Sequence, residues 1–215
     1  LKSVGLVGVV GSDFRKQDRA IFENAQLDTQ GIETVEGETF RWVGSYEGSM
    51  AQAITHETHL NVFEHFEPKV PEHGRNPTVT FCANLHPAIQ LSVLDQSKPV
   101  RFSILDSMNL WIDIAHDTLL EAMKRVDIVV INDGEASMLA GQENVVAAAK
   151  AVQKMASIPT LIVKRGEHGV IALHGNEMIA MPSYPCPEVI DPTGCGDTFA
   201  GALAACLASG KGEMT

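Results

Sequence analysis

Two kinds of apolar pattern alternate along the chain. Seven short runs, rich in branched apolar residues, have the length of strands: Val4–Val10, Thr78–Cys82, Val100–Leu105, Asp127–Ile131, Thr160–Lys164, Val170–Leu173 and Met178–Met181. Between several of them, apolar residues recur three or four positions apart, as they do on one face of a helix. Examples are the stretches 119–126 and 145–156. Repeated strand–helix–strand units predict an α/β fold in which helices cover both faces of a parallel sheet.

One part of the chain departs from this alternation. The segment Gly37–Tyr46 is rich in threonine and aromatic residues and suits an exposed antiparallel strand. The stretch 67–77 contains three prolines and a glycine, so it predicts a loop. We therefore expect strands within 37–55 to lie outside the main sheet, within a single domain that spans residues 1–215.

Charge and cysteine content exclude several classes of partner. The chain has 16 Lys+Arg and 27 Asp+Glu, which gives a net charge of −11. It has no cluster of basic residues, which argues against a nucleic acid or an anionic membrane surface as partner. No stretch approaches the roughly 18–20 apolar residues of a membrane span. The four cysteines are far apart and lack zinc-site spacing, so we expect reduced thiols and a cytoplasmic protein.

The strongest chemical signal is the segment 191–197, which reads DPTGCGD and precedes an apolar helical stretch, 198–208. Its glycines allow backbone N–H groups to approach a ligand closely, and a helix N-terminus attracts phosphate oxygens. Asp197 would place a carboxylate beside that phosphate, where it could accept a proton from an attacking hydroxyl. The alternative is that Asp197 only caps the helix. The uncharged stretch predicts a helix that is buried on most of its surface.

Polar residues also follow other predicted strands, where α/β folds bind ligands. Asn132 and Glu135 stand three apart at the start of a helix and could share a ligand, or form a capping box. Lys164 and Gly166 belong to a turn with two glycines, which could equally be a plain surface turn. Asp106 follows a further strand.

The string from Asp191 to Gly201 resembles the second signature of the ribokinase-like (PfkB) carbohydrate kinases, Asp-(Thr/Pro)-x-Gly-Ala-Gly-Asp-x-Phe-x-(Ala/Gly)-Gly. Cys195 stands where alanine is usual. We expect this difference to have little effect on phosphate binding, because the backbone N–H and not the side chain would contact the phosphoryl group. The resemblance implies that Asp197 is the catalytic base. It also implies an anion hole for the γ-phosphoryl group, formed by the amides of Gly194, Cys195 and Gly196. Asp191 would support a monovalent cation such as K⁺.

Other segments are similar to further family motifs. Asn132 and Glu135 match Asn-x-x-Glu, which implies that Asn132 contacts the nucleotide and that Glu135 holds Mg²⁺ through water. The turn after residue 163 is similar to one that runs along ATP in the family, which implies nucleotide contacts for Lys164 and Gly166. The loop that contains Asp106 and Asn109 lies near the substrate in the family, so both have candidate substrate-side roles.

As a whole, the resemblance implies a three-layer α/β/α sandwich with a mostly parallel central sheet and a small β lid within 37–55. It implies transfer of the γ-phosphoryl group of ATP to a hydroxyl of a sugar or nucleoside-like substrate. In this family the lid often mediates dimerisation, so a homodimer through the lid is the matching expectation.

Three further readings bear on this assignment. The chain is expected to be truncated at both ends relative to the family, so a catalytically incompetent fragment with at most nucleotide binding is the alternative. The glycine spacing near the N-terminus is G-x-x-G-x-x-G, which disfavours a dinucleotide-binding dehydrogenase. The sequence contains no G-x-x-x-x-G-K-[ST], which excludes a P-loop kinase.

Overall fold

A computed structural model describes residues 3–48, 50 and 53–210. The chain divides into two compact units, Leu1–Arg75 and Asn76–Thr215. All the candidate site residues lie in the second unit. No helix within the described residues is both long enough and apolar enough to cross a membrane.

The second unit is built on a six-stranded sheet. Its strands are β5 (Val79–Cys82), β6 (Phe102–Asp106), β7 (Ile128–Asn132), β8 (Thr160–Lys164), β9 (Val170–His174) and β10 (Glu177–Met181). They lie side by side in the order β10-β9-β8-β7-β6-β5. The pairs from β5 to β8 are parallel, and β9 and β10 form an antiparallel hairpin at one edge. Each predicted strand of this unit is therefore present, with ends within two residues of the prediction.

Helices cover both faces of this sheet. They are α2 (Pro87–Gln96), α3 (Asn109–Ile114), α4 (His116–Lys124), α5 (Asp133–Ala140), α6 (Val145–Met155) and α7 (Cys195–Ala208). Residues of α2 to α6 share one core with the alternate strand positions Leu105, Val129 and Leu161. The opposite strand positions, among them Ile104 and Val130, pack with α7. The result is a sandwich of helix, sheet and helix layers.

The first unit contains the expected strand near the N-terminus and a strand that the sequence did not reveal. β1 (Gly5–Gly11) pairs in parallel with β2 (Asp28–Val35), and α1 (Lys16–Asn24) connects them. β2 was missed because its polar and apolar residues do not form the branched apolar run expected of a buried strand.

The Thr/aromatic segment forms strand β3 (Arg41–Tyr46), which pairs antiparallel with β4 (Ala53–His59). All seven residues of β4 are exposed. The second strand ends four residues beyond the predicted 37–55 range, and residues 49, 51 and 52 of that range lie outside the described residues.

The prediction that the 198–208 helix is buried on most of its surface is wrong for the described chain. Only Ala200 and Leu207 are buried in α7. The side that carries Phe199 and Leu203 packs against the sheet, and residues such as Gly201 and Ala202 are exposed. An uncharged sequence shows how much of a helix surface could be buried. The surface that is actually buried depends on the elements that pack against the helix.

Candidate active site

Three candidate residues end neighbouring parallel strands. Asp106 is the last residue of β6, Asn132 of β7 and Lys164 of β8. Because the carboxyl ends of parallel strands meet at one edge of a sheet, the strand register brings these residues to the same edge. Asn132 and Lys164 are direct partners in the register of β7 and β8.

Lys164 links this edge to the N-terminus of α7. Its Nζ lies 3.5 Å from Oδ1 of Asp106. A Cβ placed on Gly196 would lie only 2.9 Å from the same Nζ, so the ammonium group sits directly beside the backbone of that glycine. The side chain of Lys164 is 18% exposed and that of Asp106 only 5%, so this ion pair is poorly screened by water. Asp106, Lys164 and Gly196 therefore form one cluster.

Asn132 and Glu135 form a reciprocal capping box at the start of α5. Oδ1 of Asn132 accepts from the N–H of Glu135 at 2.8 Å. Both carboxylate oxygens of Glu135 accept from Asn132, one from its backbone N–H and the other from its side-chain amide, each at 2.7 Å. The capping interpretation is confirmed, and it leaves the metal interpretation open, because each carboxylate oxygen has a second lone pair.

The carboxyl groups of this cluster are electrostatically coupled. Burial raises the pKa of Asp106 above its usual range; Lys164 and the N–H of Ser107 oppose the rise, and the charge of Asp197 adds to it. Burial also raises the pKa of Glu135 to about 7, against the opposing influence of the Asn132 hydrogen bonds and Lys164. Perturbed carboxyl groups gathered at one sheet edge are typical of a functional site.

The DPTGCGD segment leads into α7 through a tight turn. Gly194 is the residue before the helix and has a left-handed conformation, φ +77°, which favours glycine. The N–H of Cys195 donates to the carbonyl of Pro192 at 3.1 Å, so this amide already has a partner in the turn. Gly196 lies in the first helical turn, where N–H groups lack partners within the helix. Asp197 lies in the same turn and is exposed.

Three candidates form no hydrogen bond or ion pair with Asp106, Lys164 or Gly196 that the described residues show. Asn109 is exposed, and its Oδ1 accepts from the N–H of Leu110 at 3.0 Å. Oδ1 of Asp191 accepts from the N–H of Thr193 at 2.9 Å, and hydrogen bonding from Thr193 lowers the pKa of Asp191. Gly166 begins a 3-10 turn two residues after β8.

The sequence did not point to Gln90 or Ser107. Both are buried, and Gln90 donates to the backbone carbonyl of Asp106. The only signal in the sequence was a polar residue between Ile89 and Leu91, in an otherwise apolar stretch of α2.

A family model described as pfkB family carbohydrate kinase matches residues 84–213. The cytidine kinase of Thermococcus kodakarensis is 30% identical over 215 residues, and the alignment covers 97% of this chain and 75% of that protein. This chain therefore spans about three quarters of that relative.

Solved structures agree in fold. A putative ribokinase II from E. coli, in complex with ATP and Mg²⁺, is 22% identical with a TM-score of 0.79 over 97% of this chain and 71% of that chain. A nucleoside kinase from Burkholderia thailandensis, in complex with inosine, is 19% identical with a TM-score of 0.74 over 97% of this chain and 69% of that chain. The predicted ribokinase-like α/β fold is confirmed. The chain belongs to the pfkB family of carbohydrate kinases, which are ATP-dependent phosphotransferases with an alcohol group as acceptor.

Proposed function

We propose that this chain transfers the γ-phosphoryl group of ATP to a hydroxyl of a sugar or nucleoside-like small molecule, with Asp197 as the base. The observation that carries the proposal is the position of the Lys164 ammonium group. It lies beside Gly196 and pairs with Asp106, at the N-terminus of the helix that bears Asp197. A cation, helix-terminal amides and a carboxylate are thus gathered where a phosphoryl group could meet a hydroxyl.

Each group has a distinct part in the proposed transfer. Amides of the 194–196 segment and Lys164 would stabilise negative charge on the transferring phosphoryl group, which is the main requirement of this reaction. The amide of Cys195 would have to exchange its bond to the Pro192 carbonyl for one to phosphate. Asp197 would accept the proton of the attacking hydroxyl; its exposure leaves it accessible to a substrate.

The remaining candidates would bind the two reactants. Asn132 and Gly166 would contact the nucleotide, and Asn109 would contact the substrate.

The residues present fit a weakly held Mg²⁺. Glu135 is buried and fixed by Asn132, which suits contact through a metal-bound water better than direct ligation. When bound, Mg²⁺ would neutralise charge on the β- and γ-phosphates. Asp191, an exposed carboxylate that accepts from the N–H of Thr193, would support a monovalent cation such as K⁺.

The names of the relatives support the proposed substrate class. The relative that aligns along 97% of the chain is a cytidine kinase, and one structural neighbour is a nucleoside kinase in complex with inosine. Another neighbour is a putative ribokinase II. A sugar or nucleoside hydroxyl is therefore the acceptor proposed here, and nucleosides are the first compounds to test.

The β3–β4 ribbon is the proposed lid and dimer surface. Among the described residues it has no third strand, and every residue of β4 is exposed. A two-stranded ribbon is only marginally stable alone, so pairing with a second copy would stabilise it. Sedimentation velocity would test this: a monomer at all concentrations would reject the dimer.

The test of the function is a phosphorylation screen combined with Asp197→Asn. The wild-type chain is incubated with ATP, Mg²⁺ and each of a set of nucleosides and sugars, and ADP release is measured. Asp197→Asn should lower turnover by at least about a thousandfold, since it removes the base, while calorimetry still detects ATP·Mg²⁺ binding.

Asp117→Asn is the matched control, because Asp117 is also an exposed aspartate in the first turn of a helix. It should behave like the wild type. Turnover retained in Asp197→Asn would reject Asp197 as the base. Wild-type chain that is folded and binds ATP·Mg²⁺, yet phosphorylates nothing, would favour the incompetent-fragment alternative.

A further inference from the structure

The side-chain amide of Gln90 joins the ends of two neighbouring strands. Gln90 lies on α2 and is only 1% exposed. Its Nε2 donates to the carbonyl of Ala83, just after β5, at 2.8 Å and to the carbonyl of Asp106, at the end of β6, at 2.9 Å. The carbonyl of Cys82 lies farther away, at 3.5 Å. One amide group thus fixes the β5 and β6 ends relative to each other.

Hydrogen bonds satisfy the side-chain amide of Gln90 only in part. Oε1 of Gln90 is buried and accepts no hydrogen bond from the described residues, and the same is true of Oγ of the neighbouring Ser107. Buried polar atoms without partners lower the stability of a fold. An apolar side chain of the same length would remove the unpaired acceptor, but the carbonyls of Ala83 and Asp106 would then lose their donor. Unpaired buried acceptors are expected mainly where a residue serves the site rather than the core.

The residue that Gln90 holds is the one that pairs with Lys164. The carbonyl of Asp106 accepts from Gln90, and its carboxylate lies 3.5 Å from Nζ of Lys164, beside Gly196. The N–H of Ser107 also donates to the carboxylate of Asp106, at 2.9 Å. A shift of the Asp106 backbone would therefore move the partner of the ammonium group at the proposed phosphate site.

We propose that Gln90 is a positioning residue for phosphoryl transfer, acting through Asp106 and Lys164. This inference rests on the proposed function, because it assigns a role within the same site. It predicts that Gln90 affects the rate of the chemical step more than the binding of either substrate.

The test is a double-mutant cycle between Gln90→Met and Asp106→Asn, assayed with the acceptor found in the screen. Methionine keeps the length of the side chain and removes the donor. We expect Gln90→Met alone to lower kcat by roughly tenfold to a hundredfold, with both KM values within about twofold of wild type, since small misplacements of reacting groups cost this much. In the Asp106→Asn background, the same change should alter kcat by less than about twofold.

Gln96→Met is the matched control, because Gln96 lies on the same helix and bonds to Ser92 one turn earlier. It should leave kcat unchanged. Equal losses from Gln90→Met in both backgrounds, or no loss in either, would overturn the proposal. An inactive wild type would instead reject the proposed function.

A readout independent of turnover comes from nuclear magnetic resonance. The carboxyl titration of Asp106 should shift in Gln90→Met and stay in place in Gln96→Met. An unchanged titration would contradict the inference. Gln90→Glu, which keeps the shape and exchanges the donor for an oxygen, serves as the second variant. Loss of folding in both Gln90 variants, seen by circular dichroism, would assign the residue to stability and overturn the proposal.

Discussion

The protonation of Glu135 should make the stability of this chain depend on pH. Burial raises the pKa of this carboxyl from an ordinary 4.5 to about 7. Between these values the folded state binds more protons than the unfolded state, so stability falls as pH rises. At about 1.4 kcal/mol per pH unit, the full effect is about 3–4 kcal/mol, most of it lost between about pH 4.5 and pH 7.

The variant Glu135→Gln isolates this effect. Glutamine cannot titrate, so the variant should lack the downward slope. It also loses one of the two hydrogen bonds from Asn132, which lowers stability by about 1 kcal/mol at every pH. The variant and the wild type should therefore be nearly equally stable near pH 5, and the variant should be more stable by about 2 kcal/mol near pH 8.

The assay is urea unfolding in Mg²⁺-free buffer, followed by circular dichroism at several pH values from 5 to 8. The exposed Glu143 supplies the control Glu143→Gln, which should retain the slope of the wild type. Curves for wild type and Glu135→Gln that stay parallel within about 0.5 kcal/mol would refute the reasoning. They would mean that the burial of Glu135 is relieved by water in solution.

Two further variants test the phosphate site by steady-state kinetics. Lys164→Met should lower kcat by about a hundredfold, because it removes the charge beside Gly196; retention of more than half the activity would contradict this role. Gly196→Ala places a methyl group 2.9 Å from Nζ of Lys164, the mobile end of a side chain, so we expect at least about tenfold lower kcat with less than about 1 kcal/mol change in stability. Equal activity of Gly196→Ala and wild type would show that the approach of Lys164 is not needed.

The sheet of the second unit was predictable because its strands are buried. β7 and β8 have at least three consecutive buried residues each, and this burial produces the branched apolar runs read from the sequence. β2 and β4 give no such signal. β4 is exposed along its whole length, so its composition is set by solvent and by its pairing with β3. The position of an exposed β-ribbon depends on the strand or surface that it pairs with, and a single sequence does not reveal that pairing.

The sequence predicted several residues of the candidate site, but it did not predict the contacts between them. Asp106, Asn132 and Lys164 could be found because each ends or directly follows a predicted strand. The approach of Lys164 to Gly196 joins residues 32 positions apart and depends on how α7 packs on the sheet. Gln90 was missed because its hydrogen-bond partners are backbone carbonyls, which have no sequence signature.

The whole chain and the candidate site are both negatively charged, so both would repel the phosphates of ATP. With every group ionised, Asp106, Glu135 and Asp197 outnumber Lys164 and leave two negative charges at the sheet edge. A chain of net charge −11 offers no long-range attraction to ATP. Under the proposed function, attraction would therefore arise locally, from helix-terminal amides, from Lys164 and from Mg²⁺ that arrives with the nucleotide. Under the proposed function, Mg²⁺ held near Glu135 would displace the proton that the raised pKa of this carboxyl favours, so metal binding and proton release would be linked at this site.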